Sequence, residues 1–281
     1  MRNEKTVLKE FLISGVALHT GKNVEMKISP LPKGSGIIFK QGENSIELSA
    51  QTVIGTEMAT TIGGNGVKIH TVEHFLSAVY ALGISNLLIE IDGEEPPALD
   101  GSGIQFCQEL EKSGLVEQEK TRQIIIIEKT VRVQSGNRFV EISPNSENRF
   151  HINSTISFEN SAIGEQSFAV DVNLENYREK IAKARTFGFL KDFDYLKSKG
   201  LAQGASYDNV IVVGDDEVLN SGGLRCENEF VRHKILDVIG DFTVLNADII
   251  GNYKSFAGSH NLNNQLIKKI LSDKSNYSVK S

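Results

Sequence analysis

The chain has 281 residues, 40% of them hydrophobic and 23% charged, which is longer than one core usually serves and enough for two domains. Its net charge of −6 and isoelectric point near 5.6 argue against a general nucleic-acid or anionic-membrane surface, and leave room for the one or two cations that a phosphorylated small molecule needs. Two cysteines without paired spacing exclude a disulfide framework and a thiolate zinc knot, as expected of a protein of the reducing cytoplasm.

The first six residues alternate charge and lack an apolar core with a small-residue cleavage site, so export is not expected. Strands are predicted over 6–18, 24–29, 36–40, 46–48 and 67–69, where apolar segments alternate with Gly, Pro and Asn breaks. A helix follows. Thr71 is placed to cap it, Phe75, Ala78, Val79 and Leu82 keep helical spacing, and Gly83 stops it. A strand over 86–91 and a second helix over 104–113, closed by Gly114, complete the first half. The polar stretch 117–123 reads as a linker.

The pattern then starts again, with strands at 124–133, 138–143, 150–158 and 167–172 and helical stretches at 174–184 and 192–199. The aliphatic run Ile124–Ile127 is too short to cross a bilayer. A long helix over 229–245, a strand over 248–253 and a closing helix over 261–271 repeat the order helix, strand, helix of 71–113. The expectation is therefore an α+β protein of two similar two-layer α/β sandwich domains related by internal duplication, 1–119 and 120–281, with the active site between them.

Two of these helical segments carry metal-ligand chemistry: His70-x-x-Glu73-His74 and His233-Lys234-x-x-Asp237-x-x-x-Asp241. Positions four apart share a helix face, so His233, Asp237 and Asp241 point the same way. A solvated polar face with ordinary i,i+4 pairs would have the same spacing. The dense apolar set around it, Phe230, Ile235, Leu236, Val238, Ile239, Phe242 and Val244, implies instead a buried helix whose polar groups must be paired or bound to metal. Glu73 beside His74 is the arrangement in which a carboxylate serves as base to an activated water. His70, at the end of a strand, need not share the face of His74 and reads as a bystander. Of the other histidines, His19, His151 and His260, the last lies in the small-residue turn Gly258-Ser259-His260-Asn261. There Asp241 could hydrogen-bond it and keep it cationic as a proton donor or oxyanion partner.

Seven segments in order, spread over nearly the whole chain, resemble the UDP-3-O-acyl-N-acetylglucosamine deacetylases, zinc amidases of lipid A biosynthesis in Gram-negative bacteria. They are Gly15-Val-Ala-Leu-His-Thr-Gly-Lys22, Thr71-Val-Glu-His74, Ala81-Leu-Gly-Ile-Ser-Asn86, Leu99-Asp-Gly-Ser102, Ala184-Arg-Thr-Phe-Gly-Phe189, Phe230-Val-Arg-His-Lys-Ile-Leu-Asp-Val-Ile-Gly-Asp241 and Gly258-Ser-His260. The resemblance implies hydrolysis of the acetamide of UDP-3-O-(3-hydroxyacyl)-N-acetylglucosamine to acetate and the free 2-amino sugar, the committed step of the pathway. It implies Zn2+, with iron(II) able to occupy such a site, held by His74, His233 and Asp237 with the fourth position open. It also implies Glu73 as base, the Thr186 hydroxyl on the oxyanion, and His260, held protonated by Asp241, either stabilising charge or protonating the departing amine.

By the same resemblance, Lys234 meets phosphate or sugar oxygens and Phe187 packs on the sugar or the start of the acyl chain. Leu190, Phe193, Leu201, Ala202 and Val212 lie in the insert of the second domain that forms the acyl passage, although any of them could equally be core. The expected partner is this small molecule alone, bound by a monomer with no nucleic acid and no transmembrane segment. Family members usually carry a small polar residue where this chain has His70, and the dehydratase domain fused in some relatives is not expected here. Two other readings stay open. One is a zinc peptidase using His70 and His74; the other is a non-catalytic carbohydrate-binding module with a structural zinc.

Overall fold

The computed structural model describes residues 2–281. The first half holds β1 (Asn3–Val7), β2 (Phe11–Val16), β3 (Asn23–Pro30), β4 (Ile37–Gln41), β5 (Asn44–Glu47), β6 (Val53–Gly55), β7 (Thr61–Gly64), β8 (Val67–Ile69), α1 (Glu73–Leu82), β9 (Leu87–Ile91), α2 (Ile104–Lys112) and β10 (Leu115–Thr121). The second half holds β11 (Ile124–Ile127), β12 (Val131–Ser135), β13 (Arg138–Ser143), β14 (Phe150–Ser157), β15 (Glu165–Asp171), α3 (Leu174–Asn176), β16 (Phe187–Phe189), α4 (Phe193–Ser198), β17 (Ile211–Val213), α5 (Glu229–Phe242), β18 (Asp248–Phe256), α6 (His260–Leu271) and β19 (Tyr277–Lys280).

The α+β class is as expected, and the duplication is visible strand by strand. In the first half the sheet runs β2-β3-β9-β4-β5, with β9 parallel to β4 and every other pair antiparallel. The path β12-β13-β18-β14-β15 has the same neighbours and the same senses. Each half also ties its first strand to its last, β1 to β10 and β11 to β19, both antiparallel.

Alternation along the strands explains the layers. Val24, Met26 and Ile28 of β3, Ile37 and Phe39 of β4, and Leu87, Ile89 and Ile91 of β9 all turn to one buried side, as a period of two requires. All ten residues of α1 are buried, because this helix packs against α5 and α2 and shares one core cluster with the strands of the first half. Such a helix has no solvent face to keep polar. The polar groups it carries, Glu73, His74 and Ser77, must therefore be served inside the protein.

Several expectations change. The segment 6–18 is broken into β1 and β2 and 124–133 into β11 and β12, because the pieces pair with different partners, β1 with β10 and β2 with β3, β11 with β18 and β19 and β12 with β13. The stretch 117–123 is not a linker: Leu115–Thr121 is β10, paired with β1. Its side chains are mostly exposed, so polarity there reflects a solvent-facing ribbon. Helix was expected over 174–184, but only Leu174–Asn176 is α, followed by a π turn over Tyr177–Ile181. Thr71 does not cap α1. It sits at φ +55° and gives its hydroxyl to Glu95 Oε1 at 2.8 Å, while Val72 precedes the helix without a side-chain cap. Strands β6, β7, β16, β17 and β19 carried too little pattern to be predicted.

Candidate metal centre and cavity

Glu73 and His74 stand in the first turn of α1, and His233, Asp237 and Asp241 come from successive turns of α5. All five are buried. The crossing of the two helices brings His74, His233 and Asp237 into one group whose nitrogen and oxygen atoms all lie within 4.8 Å of one another. Asp237 Oδ1 is 3.3 Å from His233 Nε2 and 3.9 Å from His74 Nε2. Ligands at ~2.0–2.2 Å from one tetrahedral ion stand roughly 3.3–3.6 Å apart, and the two spacings from Asp237 come close to that requirement.

The protonation pattern favours a cation in the gap. His233 Nδ1 lies 3.0 Å from the Ala184 carbonyl, which can only accept, so that nitrogen carries the hydrogen. Burial, outweighing Asp237, lowers the pKa of His233, and the neutral ring then turns the lone pair of Nε2 toward a carboxylate oxygen. Among the described residues Asp237 Oδ1 has no hydrogen-bond partner although it is buried. Two facing lone pairs in a buried site are repulsive unless a positive charge joins them. Burial and the nearby His233 also push His74 down to about 3, leaving it neutral as a ligand must be. For Asp237 burial acts upward, but Lys234, His233, His260 and His74 together hold it below the usual carboxylate range. Lys234 Nζ donates to Asp237 Oδ2 at 2.6 Å, which fixes one oxygen and leaves the other for the gap.

Glu73 and His260 form the other side. Burial raises Glu73 to about 7, against the pull of His260, whose Nε2 is 3.7 Å from Glu73 Oε1. The other Glu73 oxygen accepts from the Thr60 amide at 3.1 Å. Burial lowers His260, but Asp241 and Glu73 outweigh it and raise it to about 9. Asp241 Oδ2 is 3.0 Å from His260 Nδ1 and accepts from Asn263 Nδ2 at 2.7 Å, and Oδ1 accepts from Thr60 Oγ1 at 2.5 Å. Glu73, Asp237 and His260 also cluster within 4.8 Å. A cationic imidazole is a poor ligand, so the first group is the better metal site.

A cavity of about 470 Å3 opens over this centre. Of the residues expected around it, Thr186, Phe187, Leu190, Phe193, Ala202, Val212 and Lys234 line it. Phe187 stacks edge-on against Phe230, at 5.1 Å, and lies against His233 at 6.5 Å, so its ring stands between the apolar wall and His233. Leu201 does not line the cavity. Its amide closes the turn on the Leu196 carbonyl at 2.9 Å, and Leu196 takes the wall position instead. Asp241 lies behind His260 rather than on the cavity. His70 turns to Thr61 Oγ1 at 2.8 Å and belongs to neither ligand group, contrary to the peptidase reading.

Sequence reasoning missed Thr60, Asn263 and Arg138, the last a cation on the cavity rim. Thr60 lies in an unpatterned turn and gave no signal. Asn263 sits three residues after His260 on a helix with a buried face, and its position was readable.

The family model described as UDP-3-O-acyl N-acetylglycosamine deacetylase matches residues 4–272. The UDP-3-O-acyl-N-acetylglucosamine deacetylase of a Nitratiruptor species is 45% identical over 278 residues, 98% of this chain and 93% of that one. That of Campylobacter fetus subsp. fetus is 43% identical over 278 residues, 98% of this chain and 94% of its own. The enzyme of the same name from Wolinella succinogenes is 45% identical over 278 residues, with 98% and 93% covered.

Proposed function

The chain belongs to the UDP-3-O-acyl N-acetylglycosamine deacetylase family, and on that premise we propose that its buried histidines and carboxylates form a zinc amidase centre. The activity is removal of the acetyl group from UDP-3-O-acyl-N-acetylglucosamine, a step of lipid A biosynthesis. The observation that carries the metal assignment is the bare, buried Asp237 Oδ1 facing the lone pair of His233 Nε2.

His74, His233 and Asp237 hold the ion. A zinc ion there supplies Lewis acidity, lowering the pKa of water toward ~7 and polarising a carbonyl. Glu73 has a carboxyl raised by burial toward neutrality, so it can take a proton from the attacking water and release it again. The amide carbon becomes tetrahedral and its oxygen gains charge. Thr186, whose backbone is fixed by Gly101 and Ile211 at 2.8 Å each, offers a hydroxyl to that oxygen. Preorganised donors of this kind are worth about 3 kcal/mol each in comparable sites. His260, held cationic by Asp241, gives its proton to the amine nitrogen as the C–N bond breaks, yielding acetate and the free amine.

Lys234 meets sugar or phosphate oxygens from its place on the cavity. Phe187 packs on the sugar, and the apolar wall of Leu190, Phe193, Leu196, Ala202 and Val212 takes the acyl chain. We further propose two domains as the units of the repeat, meeting after β10 (Leu115–Thr121) rather than at the 119/120 boundary expected from sequence. Among the described residues no helix is long and apolar enough to cross a membrane, and both cysteines are unpaired, which suits the reducing cytoplasm we assign.

Acetate release from the acylated UDP-sugar, measured before and after chelation, tests the reading. Stripping the metal should abolish turnover and one equivalent of zinc should restore it. Undiminished activity in the stripped protein would end the zinc assignment.

A further inference from the structure

The segment 184–187 carries three groups that this reaction needs: the Ala184 carbonyl on His233 Nδ1, Thr186 and Phe187. Regular structure begins only at Phe187; before it the Ala184 amide bonds the Ile181 carbonyl and the Thr186 amide the Gly101 carbonyl, and Arg185 between them needs its own anchor. That role falls to Glu229, the first residue of α5, whose carboxylate is buried with 0% exposure. Glu229 Oε1 accepts from the Arg185 amide at 3.0 Å and from Arg185 Nε at 2.9 Å. Its Oε2 accepts from Arg185 Nη2 at 3.1 Å and from the Arg225 amide at 2.6 Å. Arg225 Nη1 reaches on to Asp100 Oδ2 at 2.7 Å, next to Gly101, whose carbonyl receives the Thr186 amide.

We propose that Glu229 is a positioning residue of the metal centre, setting the orientation of His233 and the place of Thr186 through its clasp on Arg185. Glu229 precedes His233 by four residues, one helix turn, so the clasp and the ligand share a face of α5. Helix geometry then fixes the distance from the Glu229 carboxylate to the His233 ring. With Arg185 bound bidentately to one and the Ala184 carbonyl bound to the other, the backbone at 184–185 is held at two points. A metal-bound imidazole depends on the partner of its other nitrogen for tautomer and ring angle, and here that partner is the Ala184 carbonyl, whose peptide bond to Arg185 is held by the Glu229 carboxylate at the Arg185 amide. The inference rests on the reading that His233 is a metal ligand.

The test is the zinc dissociation constant of the purified protein, measured by competition with a chelator. Glu229→Gln cannot accept all four donors and leaves the Arg185 guanidinium buried without its anion. Zinc should bind about ten- to a hundredfold more weakly, the usual effect of losing an outer partner of a ligand, and the absorption spectrum of the cobalt-substituted protein should change. Should that variant not fold, Glu229→Gln with Arg185→Met buries no lone charge and carries the same expectation. Arg122→Lys, at the distant ion pair with Asp248, serves as a stability-matched control and should leave zinc affinity unchanged. Parent-like affinity and cobalt spectrum in the Glu229 variants, while His233→Ala abolishes binding, would overturn this inference alone. Parent-like affinity in His233→Ala would overturn the metal reading and this inference with it.

Discussion

Gly240 of α5 lies so close to the start of α1 that a Cβ added to it would stand 2.1 Å from the carbonyl oxygen of Glu73. This contact is where the two halves of the repeat are pressed together, and it lies one turn from Asp237 and beside Glu73. A mid-helix glycine ordinarily costs about 1 kcal/mol relative to alanine, so its presence here reflects the close crossing.

Gly240→Ala separates two opposed effects. Helix propensity alone predicts a gain of about 1 kcal/mol, whereas overpacking against backbone costs about 1–3 kcal/mol. We expect the thermal midpoint to fall and turnover to drop, because the helices must part and carry Glu73 away from Asp237. A raised midpoint with full activity would show that the helices are not locked at this crossing.

Glu73→Gln should keep the shape of the buried side chain and lose its basicity. General-base catalysis is worth about 10²–10⁴ in rate, so kcat should fall by that factor while bound zinc, measured by elemental analysis, stays near one per chain. Retained turnover in this variant would remove Glu73 from the mechanism.

Asp241→Asn addresses the acid. The folded protein raises His260 to about 9 through Asp241 and Glu73, against burial. A group that must be protonated to act gives activity below its pKa, and activity is lost as pH rises through it. Removing the Asp241 charge lowers that pKa, so the alkaline limb of the kcat profile should move to lower pH. An unmoved limb would mean that Asp241 does not govern the proton on His260.

The apolar wall makes a positional prediction. Leu196 lines the cavity and Leu201 does not, so Leu196→Trp should raise KM for a long-chain substrate several-fold while Leu201→Trp leaves it near the parent value. The reverse order would place the acyl chain on the other side of the turn at Gly200.

Much of this was legible because it is local. The stripe His233, Asp237, Asp241 is fixed by helix period, the stop at Gly83 by its left-handed φ of 72°, and the repeat by the order of elements. What escaped depends on distant partners. The polar run 115–121 is a strand only because β1 supplies its ladder, and Thr71 forgoes the cap because Glu95 offers a buried acceptor. The place of Leu201 turns on which way one short loop folds. Thr60 reaches Asp241 from 181 residues away, and no window of sequence contains both. Glu229 lay within view, since an acid one turn before a ligand on a buried helix needs a partner, but the identity of Arg185 came only from the fold.

The most direct measurement is anomalous diffraction at the zinc edge from crystals of the protein loaded with one equivalent of the metal. The account predicts one peak about 2.0–2.2 Å from His74, His233 and an oxygen of Asp237, with Glu73 and His260 close by but not bound. A peak bound instead to Glu73 and His260, or lying away from the crossing of α1 and α5, would contradict it.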